Sequence, residues 1–109
     1  MAGFTKPVSL SLIMLWTHER GEFATKYIAE TAVLPVGTLV DEAGAPIDPT
    51  PVEFDATTTY GVVFPNGMVY HSWSIFNDKY ILWPEGIDPT VKQAITDHLA
   101  NKNLIIKAA

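Results

Sequence analysis

The sequence predicts a mainly β domain with one α-helix close to its C-terminus. Short apolar segments recur along most of the chain and end at proline, glycine or asparagine, as strands do. A helical apolar period with a capping residue occurs only at about residues 89–100, and a last apolar segment, residues 104–107, follows it. We therefore expect about six to eight short strands and one helix in a small barrel-like or folded-ribbon domain.

The N-terminal residues divide into an arm and a first strand. Residues 1–7 contain glycine and proline and show no apolar period, which is typical of an arm. Residues 8–16 begin with the apolar–polar alternation of a half-buried strand. We assign residues 1–16 to this arm and strand, and residues 17–109 to the β domain.

The first half of the β domain contains two further predicted strands. Residues 23–32 fit a strand or a short helix, of which we favour the strand. Residues 34–40 are also predicted as a strand, since Pro35 is excluded from a helix interior but tolerated at the start of a strand. Gly44 and Pro46 then predict a turn.

The second half is predicted to begin with a hairpin. Residues 60–64 form a strand, and the Asn-Gly pair at 66–67 reverses the chain because it tolerates the positive φ angles of a two-residue hairpin. Residues 68–76 are predicted to pair back as one continuous strand. Residues 80–83 form the next strand and end at a Trp-Pro corner.

The predicted helix has recognisable ends and one apolar face. Asp88 suits the N-cap, because its carboxylate can accept a hydrogen bond from a free backbone N–H, and Pro89 suits the first helical position. Asn101 or Asn103 can end the helix. The predicted inward face comprises Val91, Ala94, Ile95, His98 and Leu99.

Composition and charge exclude several kinds of function. The chain has 109 residues, enough for one domain, and no cysteine, which excludes disulfides, thiolate metal sites and thiol nucleophiles. The formal net charge is −5, and residues 27–78 contain seven acids without a lysine or arginine, which argues against binding along a phosphate backbone. The longest apolar run, residues 8–16, is far shorter than the ~20 residues of a membrane span. We expect no direct nucleic-acid partner and no membrane partner.

Motifs for catalysis or metal binding are weak. His18-Glu19 resembles the start of a zinc-protease motif, but Glu22 occupies the position of the second histidine. The sequence has no Gly-x-Ser-x-Gly elbow and no glycine-rich phosphate loop. Glu53 and Asp55 could act as an acid and a base, although solvated surface acids are the simpler interpretation. We expect no enzyme activity, no cofactor and no metal site.

Three tryptophans are a large aromatic content for a domain of this size. Trp16, Trp73 and Trp83 are interpreted as core or interface anchors, although exposed tryptophans could also stack on sugars or bases. Pro84 fixes its own φ and favours an extended conformation of the preceding tryptophan, which aims that indole in one direction.

Three segments follow one another in the order found in a known family. They are residues 34–40 (Leu-Pro-Val-Gly-Thr-Leu-Val), residues 61–63 (Gly-Val-Val) and residues 82–107, which contain Leu-Trp-Pro-Glu-Gly-Ile, the helix and Leu-Ile-Ile-Lys. Their order and spacing resemble those of the tailed-phage head decoration proteins, the family of the lambda capsid stabiliser. The match covers about residues 34–107.

The resemblance implies a fold, a partner and a location. Members of this family have a β-clip-like fold, in which a bent ribbon forms a small incomplete barrel. They bind as homotrimers at threefold positions on the outside of an expanded icosahedral head and clamp neighbouring subunits of the major capsid protein against internal DNA pressure. The resemblance therefore implies the outer surface of the virion as the location of this protein.

The resemblance also implies which residues make these contacts. The arm would meet the shell by adding a strand to a capsid loop, which needs little specific sequence. The implied capsid-binding residues are Phe4, Thr5, Lys6, Pro7, Val8, Ser9 and Leu10. The implied trimer or core anchors are Trp73, Trp83 and Pro84.

Two other functions are compatible with the sequence. A carbohydrate-binding β-module on a phage particle would require Trp16 or Trp73 to lie open to solvent as an aromatic platform. A trimeric nucleotide hydrolase can share the β-clip fold, but it would require metal-binding acids together with basic phosphate-binding residues. The cation-free middle of the chain does not supply those basic residues.

Overall fold

The computed structural model describes residues 13–17, 24–49, 51 and 54–108. Within them the chain forms seven strands and one α-helix, joined by turns and short 3₁₀ helices. In chain order the elements are β1 (Met14–Thr17), β2 (Thr25–Tyr27), β3 (Leu39–Val40), β4 (Gly61–Val63), β5 (Met68–Tyr70), β6 (Ser74–Asn77), α1 (Pro89–Ala100) and β7 (Leu104–Lys107).

The strands form two sheets. A three-stranded sheet has the order β1-β6-β7, with β1 antiparallel and β7 parallel to the central β6. A four-stranded antiparallel sheet has the order β2-β5-β4-β3. Strands β6 and β7 can be parallel because the chain crosses over through α1 between them. The predicted fold class is confirmed: the protein is mainly β with a single helix near the C-terminus, and its two open sheets are compatible with a small incomplete barrel.

One core connects both sheets and the helix. Phe76 of β6 is fully buried and makes edge-to-face contacts with Phe64 and Tyr70, which flank β4 and end β5, at centroid distances of 6.1 Å. From α1, Ile95 and Leu99 are buried in the same cluster. The helix thus covers the inner face of the sheets, as an amphipathic helix must if its apolar stripe is to leave water.

The predicted helix is confirmed at both ends. It spans Pro89–Ala100, and Asp88 Oδ1 accepts a hydrogen bond from the backbone N–H of Thr90 at 2.7 Å. Asn101 is the C-cap residue. The inward face is narrower than predicted, because Ala94 is exposed whereas Ile95 and Leu99 are buried.

The prediction of one continuous strand over residues 68–76 is wrong. The chain breaks between β5 and β6 at Trp73, whose φ of 49° lies in the left-handed region and cannot continue a strand. The break moves the chain from the four-stranded sheet to the three-stranded sheet.

The Asn66-Gly67 reversal is confirmed, but it is a 3₁₀ turn over Pro65–Gly67 rather than a two-residue hairpin. The N–H of Phe64 donates to the Met68 carbonyl across this turn.

Two other predicted strands are mostly turns. Of residues 34–40 only Leu39–Val40 pairs in a sheet, because Gly37 adopts a φ of 97° in the preceding turn. Residues 80–83 are not a sheet strand; the backbone N–H of Leu82 donates to the Gly37 carbonyl at 2.9 Å. A Cβ at Gly37 would lie 2.4 Å from the Tyr80 carbonyl oxygen, so this approach requires glycine. Residues 23–32 combine both alternatives, with β2 followed by a 3₁₀ helix, Ala29–Val33.

Truncation of the helix anchor should destabilise the whole domain. Leu99→Ala removes a fully buried side chain from the common core and is expected to lower the free energy of unfolding by ~2–5 kcal/mol. Val33→Ala, at a position that is 88% exposed, should change it by no more than ~0.5 kcal/mol. Urea denaturation of both variants measures the difference, and equal midpoints would contradict the assigned core.

Candidate functional site

The site residues that the sequence predicts lie in three different settings. Phe4 to Leu10, the implied capsid-binding residues, lie outside the described residues. Trp83 and Pro84 are half-buried and lie between the 3₁₀ turn Asp78–Tyr80 and α1. Trp73 is 46% exposed and is not part of the buried core of this chain. Its role as a trimer anchor stays a prediction.

Two charged side chains, those of Asp78 and Lys92, hold the indole of the Trp-Pro corner. Trp83 Nε1–H donates to Asp78 Oδ1 at 2.8 Å. Lys92, on α1, reaches Asp78 Oδ2 at 3.4 Å and lies 5.0 Å from the centroid of the indole. The indole also packs against the main core cluster. These contacts hold the indole in one orientation and connect the corner to the helix.

The three-stranded sheet carries a row of apolar side chains on its outer face. The strand register aligns Trp16 of β1 with Ile75 of β6, and Ile75 with Ile105 of β7. We call these three residues the apolar row. Alternation places their neighbours Phe76, Leu104 and Ile106 inside the core, whereas Trp16 is 47% exposed and Ile105 is 37% exposed.

The apolar row is uncharged and lies on an acidic protein. Strands β1, β6 and β7 contain no aspartate or glutamate, and their only charged residue is Lys107. A register shift between Met14 and Trp16 leaves Leu15 as an extra, partly exposed residue beside the row. Exposed apolar surface rimmed by polar residues typically marks an interaction site.

A second cluster surrounds the ring of Tyr60, just before β4. The ammonium of Lys102 lies 4.8 Å from the ring centroid, the ammonium of Lys26 lies 5.6 Å away, and the ring of His71 lies 5.2 Å away. Lys102 Nζ also donates to the backbone carbonyl of Tyr60. We call these four residues the Tyr60 cluster.

The pKa values in the Tyr60 cluster reflect burial and mutual repulsion. Burial, then the ammonium of Lys102 and that of Lys26, lowers the pKa of His71, against hydrogen bonds with backbone groups. Burial also lowers the pKa of Lys102, against the attraction of Glu42. The pKa of Tyr60 is raised by burial and by Glu42. The His71 imidazole is therefore harder to protonate in the folded chain than in the unfolded chain.

An open groove of about 410 Å³ adjoins the Tyr60 cluster. It is lined by Asp41, Glu42, Ala43, Thr57, Thr58, Thr59, Tyr60, His98 and Lys102. Much of its polar lining is already engaged: Asp41 Oδ1 accepts from the N–H groups of Ala43 and Ala45.

Only one of the two acidic residues considered as an acid–base pair lies among the described residues. Asp55 caps a short 3₁₀ turn and accepts from the hydroxyl and the N–H of Thr57, and these hydrogen bonds lower its pKa. Glu53 lies outside the described residues. Across the described part of the chain, no group of three histidines or acids is placed to hold a metal ion. No helix there is both long and apolar enough to span a membrane.

Comparison of the chain with protein-family models, curated proteins and solved structures found no match. The resemblance to head decoration proteins therefore stands on the sequence motifs alone.

Sequence reasoning missed both the apolar row and the Tyr60 cluster. Leu104-Ile105-Ile106 is apolar at successive positions, which in a strand means an apolar residue on each face, and this signal could have indicated the row. The Tyr60 cluster joins residues that are 42 positions apart, so no local pattern predicts it.

Loss of the indole N–H should loosen the Trp-Pro corner. Trp83→Phe keeps an aromatic ring but removes the donor to Asp78, and should lower the free energy of unfolding by about 1–3 kcal/mol. Trp16→Phe, at an exposed position on the apolar row, should change it by no more than ~0.5 kcal/mol. Denaturation followed by circular dichroism compares the two, and an equal loss in both would show that the Asp78 contact is unimportant.

The lowered pKa of His71 predicts a loss of stability on the acidic side. Below about pH 6.5 the unfolded chain binds a proton that the folded chain resists, so the free energy of unfolding falls until the pH reaches the lower, folded pKa. His71→Gln cannot titrate and should remove this part of the decline. Urea denaturation at about pH 7.5 and about pH 5 measures it. An unchanged pH dependence in the variant would contradict the assignment.

Proposed function

We propose that this protein is a capsid decoration protein of a tailed phage. It would bind as a homotrimer at threefold positions on the outside of the expanded head, contact the major capsid protein and stabilise the shell against internal DNA pressure. The observation that carries the proposal is the uncharged apolar row of Trp16, Ile75 and Ile105 on the surface of an acidic domain. A protein that assembles with other subunits requires an exposed apolar surface of this kind.

The position of β1 supports the proposed role of the arm. Strand β1 lies at an edge of the three-stranded sheet, and residues 1–12 precede that sheet directly in the sequence. An arm that begins at a sheet edge can add a strand to a neighbouring subunit through main-chain hydrogen bonds. A trimer would engage three arms at once, so weak individual contacts would combine into firm attachment.

The Trp83 corner supports the proposal because it anchors the helix that packs on the sheet of the apolar row. Asp78 and Lys92 hold the indole from the turn and from α1, and α1 packs on the sheet that carries the apolar row. A rigid surface loses little conformational entropy when it docks, which leaves more of the contact energy for attachment.

A carbohydrate-binding module is a second candidate, and one observation favours it. Trp16 and Trp73 are both close to half exposed, at 47% and 46%, as a platform for a sugar ring would require. The same exposure is expected of side chains that a trimer or a capsid would cover. Only the identity of the partner that the protein binds therefore distinguishes the two functions.

The direct test is co-sedimentation of the purified chain with expanded, undecorated heads, with unexpanded proheads as the control. We expect saturable binding to expanded heads only, at one trimer per threefold site. Ile105→Glu places a charge in the apolar row and should weaken binding by at least about tenfold, a change of about 1.4 kcal/mol. Val33→Glu, at an exposed position in the 3₁₀ helix Ala29–Val33, is the matched control and should bind normally.

Either of two results would contradict the proposal. Failure of the folded wild-type chain to bind expanded heads would reject it, and binding to a bacterial polysaccharide instead would favour the carbohydrate module. Equal binding by Ile105→Glu and Val33→Glu would show that the apolar row is not the attachment surface.

A further inference from the structure

We propose that Lys26, His71 and Lys102 form a binding site for an oxyanion, a carboxylate or phosphate group, beside the ring of Tyr60. The inference does not depend on the proposed function. Three potentially cationic groups from different parts of the chain meet around one aromatic ring, each within 5.6 Å of its centroid. Such convergence is unusual on a chain with twelve acids and seven bases.

The two ammonium groups have no close carboxylate partner among the described residues. Lys92 shows the alternative, since its ammonium lies 3.4 Å from the carboxylate of Asp78. No described carboxylate lies within 4.0 Å of Lys26 or Lys102. Glu42 acts on Lys102 only from a greater distance, where it opposes the lowering of the lysine's pKa.

Among the described residues, the Lys102 ammonium has donors beyond the one it directs to the Tyr60 carbonyl. A lysine ammonium has three donors, and Lys102 directs one of them to the Tyr60 carbonyl. Hydrogen bonds from ammonium groups to an oxyanion are shorter and stronger than neutral ones. Burial and, after it, the charges of Lys102 and Lys26 lower the pKa of the imidazole, and a bound oxyanion would offset the charges of the two lysines.

Backbone hydrogen bonds fix the main chain of the three residues before any ligand binds. Lys26 lies on β2 and is paired with Val69 of β5. The N–H of His71 donates to the Ala24 carbonyl at 2.8 Å, and the N–H of Lys102 donates to the Leu99 carbonyl at 2.9 Å. A fixed main chain favours binding because only the side chains remain to be ordered.

The neighbouring groove leaves space for a ligand and limits the negative charge that the ligand can carry. The groove of about 410 Å³ opens at Tyr60 and Lys102 and is large enough for a small acid or the end of a peptide side chain. Its lining also includes Asp41 and Glu42, which repel a ligand of high negative charge. A single carboxylate or phosphate group therefore fits the site better than a polyanion.

The test is an NMR titration of the full chain with sodium acetate and, separately, with inorganic phosphate, each at constant ionic strength against chloride. We expect saturable shifts of the His71 ring resonances and a rise in the pKa of His71 on binding. Lys26→Met should weaken the affinity by about tenfold. Lys79→Met is the matched control, because Lys79 also lies 5.6 Å from a tyrosine ring, that of Tyr80, but outside the cluster.

The titration separates the sources of the oxyanion and can reject the site. Saturation by acetate alone would identify a carboxylate ligand, and saturation by phosphate alone would identify a phosphate ligand. Shifts that stay linear with both anions, or that are equal in Lys26→Met and Lys79→Met, would overturn the proposal. Lys26 is exposed on its strand, so the variant is expected to fold, and Lys102→Met provides a second test of the same loss.

Discussion

The contact on which the rest of the structure depends is the packing of Phe76 between the two sheets. Phe76 belongs to the three-stranded sheet, whereas its edge-to-face partners Phe64 and Tyr70 belong to the four-stranded sheet and its turn. Edge-to-face ring contacts add to the free energy gained from burial alone. The chain can make this contact only because it changes sheets at Trp73, whose positive φ separates β5 from β6.

Features that depend on neighbouring residues were predictable from the sequence, and features that depend on tertiary contact were not. The helix was predicted with its N-cap, since Asp88, Pro89 and the apolar period all act within a few residues. The break at Trp73 could not be predicted, because a tryptophan has no local preference for positive φ and adopts it where the two sheets require it. Residues 104–107 looked like a core strand, so the outward position of Ile105 was not recognised, and for Trp16 the sequence left core, interface and open surface as alternatives.

Charge distribution links the separate parts of the chain. Residues 27–78 contain no lysine or arginine, and the structure supplies cations to this segment from both flanks. Lys92 pairs with Asp78, whereas Lys26 and Lys102 meet at Tyr60. The first arrangement satisfies a carboxylate and fixes the Trp83 corner. The second has no carboxylate within 4.0 Å among the described residues, so the two lysine sites differ in what they can do.

The two faces of the three-stranded sheet differ in burial, which explains how a small domain can expose an apolar surface and still fold. Phe76, Leu104 and Ile106 fill the core from the inner face, whereas Trp16 and Ile105 of the apolar row stay partly exposed at 47% and 37%. A domain of about 100 residues buries a smaller fraction of its surface than a large one, and it therefore gains comparatively more from any partner that covers further apolar area. Binding of such a partner to the folded chain alone would raise its stability by mass action. An outer face that keeps apolar side chains exposed in the single chain is consistent with the assembly role proposed above.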